Sequence, residues 1–153
     1  MTIKEEALSK LKRFCSYQER CHSEVRTKLL LLKVYGNTLE DVITELIQDN
    51  FLNEQRYAEA YARGKFRIKN WGRIKIANQL KARKVSDYCI NNGLAVIDES
   101  DYKITLLKLA EKYRSERSSK GWSQIEMRKK SIKYLQNKGY EYHLIKSVVD
   151  LSK

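Results

Sequence analysis

The sequence predicts an all-α protein made of three tandem three-helix, helix-turn-helix-like repeats that stack into an elongated curved rod. Three observations carry this. Apolar residues recur at helical spacing nearly throughout, and the 153 residues contain no proline, the commonest helix breaker. Capping residues recur in front of the apolar stripes. Whole groups of residues repeat: Leu52-Asn53-Glu54-x-x-Tyr57 matches Ile97-Asp98-Glu99-x-x-Tyr102, and Arg73, Leu80, Lys84 and Ile90 match Arg128, Leu135, Gly139 and Ile145, each 55 positions on.

Taken in order, helix starts are expected at Thr2 with Glu5, Ser23, Thr38, Asn53, near Gly72, and at Ser86, Asp98 and Ser123 with Glu126. Thr38-Leu39-Glu40-Asp41 reads as a capping box opening a helix with Leu39, Val42, Ile43, Leu46 and Ile47 on one face. Gly36 and Gly139 read as helix-ending glycines. About nine helices result. Second helices near 23, 72 and 123 give a period of about 50 residues and three modules, 1–50, 51–97 and 98–153. The first module echoes the others through Val25, Leu29, Gly36 and Val42, with a small insertion between Leu30 and Tyr35. One short module cannot bury both faces of its helices, so neighbours must pack end to end.

Composition removes several function classes. The N-terminus lacks the basic and apolar regions of a signal peptide, and no apolar run approaches membrane length, so a soluble, cytoplasmic protein is expected. Cys15, Cys21 and Cys89 form no CxxC pair, which argues against a disulfide framework or a metal site and for small buried thiols. Two histidines, no phosphate-binding glycine loop, no nucleophile elbow and no carboxylate cluster for magnesium leave an enzyme, or any cofactor, without support. Glu54, Asp98 and Glu99 at helix starts are explained by the helix dipole.

The charge is uneven. Residues 1–50 are net 0, residues 51–100 net +5 and residues 101–153 net +7, for a total of +12. Between Arg63 and Lys84 lie Arg63, Lys65, Arg67, Lys69, Arg73, Lys75, Lys81, Arg83 and Lys84 with no acid among them. Such a run repels itself until a polyanion neutralises it. In the helix expected from Tyr57 to Ile68, Tyr57, Tyr61, Gly64 and Ile68 share one stripe while Arg63 and Arg67 project from its flank. The plain alternative is a solvated face with Glu59 paired to Arg63. Lys129, Lys130 and Lys133 form a second basic ledge on a helix whose core side is expected at Ile125, Ile132 and Leu135. Trp71 and Trp122 each sit beside a glycine and near a lysine, Lys69 and Lys120. An indole there either stacks a base or staples the helix start. The helix starts Ser123-Gln124-Ile125-Glu126 and Ser86-Asp87-Tyr88-Cys89 offer little of the Arg, Asn and Gln of a recognition helix, and basic flanks suit phosphates rather than base sequence, so nucleic-acid binding, if present, is nonspecific.

The stretch Phe51-Leu52-Asn53-Glu54-Gln55-Arg56-Tyr57-Ala58, then Arg63 and Arg67, Trp71-Gly72-Arg73-Ile74, Leu80, Lys81 and Val85, resembles the central repeat of the RecX family, modulators of the RecA recombinase. The resemblance implies a non-enzymatic, elongated all-α protein that lies in the groove of the RecA–single-stranded DNA filament and inhibits ATP hydrolysis and strand exchange, regulating DNA repair. Two positions depart from the family pattern: Glu54 stands for its usual Asp, and Lys84 for the glycine of its K-G-[IV] turn, so a different cap is expected there. On this reading the chain is a monomer. Its RecA and DNA contacts are Arg63, Lys65, Arg67, Lys69, Trp71, Arg73, Lys75, Lys81, Arg83, Lys84, Lys120, Lys129, Lys130 and Lys133, with any contact to single-stranded DNA nonspecific and direct or indirect. The alternatives are a nonspecific DNA-binding helical protein without a recombinase partner, and an adaptor that binds an acidic protein through its first module.

Overall fold

The capping signals explain most helix starts seen in the computed structural model, which describes residues 1–151, side chains excepted for Leu151. Among the described residues there are nine α-helices: α1 (Ile3–Tyr17), α2 (His22–Leu31), α3 (Gly36–Gln48), α4 (Glu54–Lys69), α5 (Arg73–Ala82), α6 (Asp87–Leu94), α7 (Glu99–Glu116), α8 (Gln124–Asn137) and α9 (Tyr142–Leu151), with a 3-10 turn at Ser118–Lys120 and no strand. They follow one another as three sets of three. None is long and apolar enough to cross a membrane.

Thr2 caps α1 in a full capping box with Glu5. Asn53, Ser86, Asp98 and Ser123 each accept from the backbone N–H three residues on, at 2.9 to 3.2 Å. Two expected starts are displaced. α2 opens at His22, with the Cys21 N–H donating to Glu24 (3.1 Å), because the Ser23 hydroxyl instead donates to the Arg83 carbonyl at 2.9 Å. α3 opens at Gly36 rather than Thr38, so Gly36 begins a helix instead of ending one.

The residue that ends α2 is Lys33. Its φ is +62°, and the Val34 N–H reaches back to the Leu29 carbonyl at 3.0 Å. The same turn recurs at Lys84 (φ +62°), with Val85 to Leu80 at 3.1 Å, and at Gly139 (φ +100°), with Tyr140 to Leu135 at 3.2 Å. Each is a left-handed helix end that satisfies otherwise orphaned carbonyls. The second cap is therefore the same as the third. Aligning Lys33 with Lys84 also removes the expected insertion: Val25, Leu29, Lys33 and Leu39 correspond to Ile76, Leu80, Lys84 and Ile90, each 51 positions on.

By packing, the chain divides into two compact units. The first comprises Met1–Tyr61 and Gln79–Gly93. Its core joins Ala7, Leu11 and Cys15 of α1 to Val25 and Leu29 of α2, and to Leu39, Val42, Ile43 and Leu46 of α3, closed by Val34 and Leu52. Fully buried Leu, Val and Ile side chains such as these contribute about 1.5–3 kcal/mol each. Arg56 ties down the loop before α4, reaching Glu19 and the Asn50 carbonyl (3.0 Å). The second unit comprises Ala62–Asn78 and the chain from Leu94 onward. Phe66, Tyr102 and Tyr140 pack in series there, with ring centroids 5.8 and 5.0 Å apart, and Leu106, Ala110, Leu135 and Ile145 of the same unit are buried.

Within the second unit the start of α5 and the turn that closes α8 meet backbone to backbone. The Gly72 N–H donates to the Lys138 carbonyl (2.8 Å) and the Ile74 N–H to the Gly139 carbonyl (2.9 Å). A Cβ on Gly72 would lie 2.4 Å from the Gly139 carbonyl carbon, and one on Gly139 would lie 2.4 Å from the Lys75 Cβ. No side chain fits at either position.

Candidate polyanion interface

Helical arithmetic separates the cations of α4 from its core. Tyr57, Ala58, Ala62 and Phe66 are buried, whereas Ile68, expected inward, is 78% exposed. Phe66 takes the place expected of Ile68. Arg63 and Arg67, four apart, stay exposed on one flank, and the alternative Glu59–Arg63 pair does not form. Arg63, Arg67, Lys69, Lys84, Lys120, Lys129 and Lys133 are exposed and have no ion-pair partner among the described residues.

Arg73 is different. Its guanidinium bonds Glu141 (2.7 Å) and Glu99 and lies 3.8 Å from the centre of the Tyr102 ring. Its backbone N–H donates to the Tyr102 hydroxyl (2.9 Å), which in turn donates to Glu141. Burial, reinforced by Glu141, pushes the Tyr102 hydroxyl well above the ordinary tyrosine range. The acids that neutralise Arg73 come from 26 and 68 residues downstream, which is why an acid-free stretch of sequence still holds a compensated arginine. Arg83 is also occupied, donating to the Gln79 carbonyl (3.0 Å) and lying over Tyr61. Lys81 has a loose, exposed contact with Asp87 at 3.9 Å.

The tryptophans gather lysines. Trp71 is half-buried, with the Lys65 and Lys75 ammonium groups 5.1 and 4.7 Å from its ring, and Trp122 has Lys130 at 4.9 Å. Each is within cation–π range. On α8 the core side is Ser131 and Leu135 with Ile132 half-buried, and Ile125 is 68% exposed, contrary to expectation. Lys130 and Lys133 line an open pocket of about 330 Å³ with Trp122, Tyr134 and Asn137, and with Tyr113 and Arg117 of α7. Lys129 is exposed outside it. The structure thus gathers two clusters in the second unit, one around Trp71 and one around Trp122.

A third basic surface lies in the first unit, where net charge had indicated neutrality. Lys10, Arg13, Phe14, Tyr17, Arg20 and Lys28 line an open pocket of about 500 Å³ with Leu32. Arg20 lies 3.7 Å from the Phe14 ring, and Tyr17 is 83% exposed. Counting by segment hid it because the balancing acids, such as Glu40, Glu45 and Asp49, pair elsewhere in the module. The spacing of Lys10, Arg13, Phe14 and Tyr17 on one helix was the available signal.

The remaining polar clusters are local. Glu54, which stands where the resembled family has Asp, accepts from the His22 backbone N–H (3.4 Å) and lies 3.0 Å from the His22 Nδ1, and burial raises its carboxyl against the pull of His22. Cys15 and Cys21 are buried, and burial raises both thiols. Among the described residues no group of three His, Cys, Asp or Glu side chains is placed to hold a metal ion.

Comparison with known proteins gives a consistent result. Residues 53–94 match a family model described as RecX, second three-helix domain. The chain is 32% identical over 130 residues to "Regulatory protein RecX" of Clostridium perfringens (strain SM101 / Type A), covering 85% of this chain and 60% of that one. It is 26% identical over 144 residues to the protein of the same name from Bacillus velezensis (strain DSM 23117 / BGSC 10A6 / LMG 26770 / FZB42), covering 94% and 54%. The chain therefore spans between about half and 60% of the length of these relatives. The crystal structure of RecX from Lactobacillus salivarius superimposes with a TM-score of 0.89 at 23% identity, covering 97% of this chain and 96% of that one. A second structure, "Crystal structure of regulatory protein RecX", gives 0.85 at 20%, covering 96% and 71%. These two likenesses establish the fold. Residues 53–94 carry the likeness to the second three-helix domain of RecX, and the chain is similar to RecX proteins along most of its own length.

Proposed function

We propose that the chain is a non-enzymatic, monomeric, cytoplasmic regulator of RecA, with its three modules, 1–50, 51–97 and 98–153, serving one binding function. It docks through its basic surface into the groove of the RecA–single-stranded DNA filament and slows ATP hydrolysis and strand exchange, thereby regulating recombination and repair. The observation that carries this reading is the set of exposed cations with no ion-pair partner among the described residues, Arg63, Arg67 and Lys69 on α4 with Lys129 and Lys133 on α8. The likeness to RecX proteins supports the recombinase as the anion-lined partner. Lys65, Trp71 and Lys75 add an aromatic-cation patch, and Lys81, Lys84 and Lys120 extend the positive field; Arg73 and Arg83 serve the fold.

The test is the ATPase of preformed RecA filaments. An Arg63→Glu/Arg67→Glu/Lys69→Glu chain that folds normally is expected to need at least about tenfold more protein for half-inhibition, the effect of losing a few charge contacts. Inhibition equal to that of the unaltered chain would overturn the assignment.

One observation favours a second reading, a nonspecific DNA coat: the free cations lie along helix flanks, which suits phosphates without base selection. A coat must compete for free strand, and its effect falls steeply with salt, whereas a filament regulator acts at or below one chain per RecA.

A further inference from the structure

The pocket on the third module has a composition that phosphate neutralisation alone does not require. Lys130, Lys133, Tyr134 and Asn137 follow one another at helical spacing along one face of α8, and Tyr113 and Arg117 are four apart at the end of α7. Tyr113 and Tyr134 are stacked at 4.5 Å, and Arg117 caps Tyr113 at 3.9 Å, which makes a fixed aromatic wall. Trp122, half-buried in the connection before α8, lines the same pocket, with the Lys130 ammonium 4.9 Å from its ring. Lys133 is exposed at the rim without an ion-pair partner among the described residues. Flat apolar faces, an amide with both donor and acceptor, and uncompensated ammonium groups are the three things a nucleotide needs: a surface for the base to stack on, a group that can bond a base edge, and charge for the phosphate.

We propose that this pocket binds one unpaired nucleotide of a single DNA strand, with the base against Trp122 and the phosphate on Lys130 and Lys133. A base in a duplex is stacked on both faces and cannot enter, so the site selects single strands by availability rather than by sequence. The inference rests on the proposed filament role and deepens it, because it gives the chain a direct hold on the strand as well as on the recombinase.

The chain has two tryptophans, so a Trp71→Phe variant leaves Trp122 as the sole indole. Titrated with a dT oligonucleotide, this variant is expected to lose indole emission saturably. Inorganic polyphosphate should compete with the oligonucleotide yet leave the emission unchanged. In the otherwise unaltered chain, Trp122→Leu should weaken oligonucleotide binding by about tenfold, the contribution of one stacked base. The exposed Lys133→Gln variant, which has no role in packing, should weaken it less and lower the salt dependence. Absence of quenching, equal quenching by polyphosphate, or unchanged affinity in both Trp122→Leu and Lys133→Gln would each overturn the site. The two proposals fail separately: filament ATPase slowed by a chain that does not bind free oligonucleotide removes the pocket alone, and oligonucleotide binding through Trp122 without any effect on filaments removes the regulator alone.

Discussion

The turns that close α5 and α8 make the same pair of backbone hydrogen bonds, yet one is built on Lys84 and the other on Gly139. Lys84 is exposed, so its side chain leaves into solvent, and the left-handed backbone costs on the order of 1 kcal/mol. Gly139 has Lys75 and Gly72 against it at distances where no Cβ fits. The residue type at a repeated position is thus decided by what lies opposite, not by the turn. A glycine that would look like a requirement of the turn is a requirement of a backbone contact.

That comparison can be broken most sharply by making the third turn like the second. Gly139→Lys is expected to remove about 3 kcal/mol or more, because the obstructing atoms include Lys75 backbone and cannot step aside. Denaturant unfolding of the whole chain would read this, and a loss below about 1 kcal/mol would mean that the close approach is adjustable. Next in size is the contrast between two arginines of the same run. Arg73→Met strands Glu141 and Tyr102 and should cost about 1–3 kcal/mol, whereas Arg67→Met should stay within about 0.5 kcal/mol. Equal losses in urea midpoint would show that the ion pairs carry no stability. The smallest effect is expected of Lys84→Gly, a gain of about 0.5 kcal/mol as left-handed strain is relieved against added freedom of the unfolded chain. A loss in melting temperature there would reveal a packing role for the lysine.

The helix content, most caps and the repeat were legible because they depend on neighbours within about four residues. Thr2, Asn53, Ser86, Asp98 and Ser123 needed only the next turn of chain to satisfy. What could not be read depended on distant partners. Ser23 looked like a cap until Arg83 took its hydroxyl, and Gly36 looked like the turn residue because Lys33 gives no hint of a positive φ. On α4 and α8 the apolar side chains are helical in spacing but the expected phase fails at Ile68 and Ile125, since alanine and serine, at Ala58, Ala62 and Ser131, mark a packed face as well as isoleucine does. For the interface, the segment carrying the charge excess was legible, but not which members were already compensated. The surface around Phe14 and Tyr17 was hidden by a net count of zero.

Residues 62–78 are written in the middle of the second module, yet they belong to the unit completed by α7, α8 and α9. Cutting the chain after Ile97 would take away both carboxylates of Arg73 and the acceptor of the Gly72 N–H. A two-module fragment is therefore expected to lose order upstream of the cut, at the start of α5, and not only at its new end. Duplication can lengthen such an architecture only when the added copy arrives with its own turn for the preceding one to lean on.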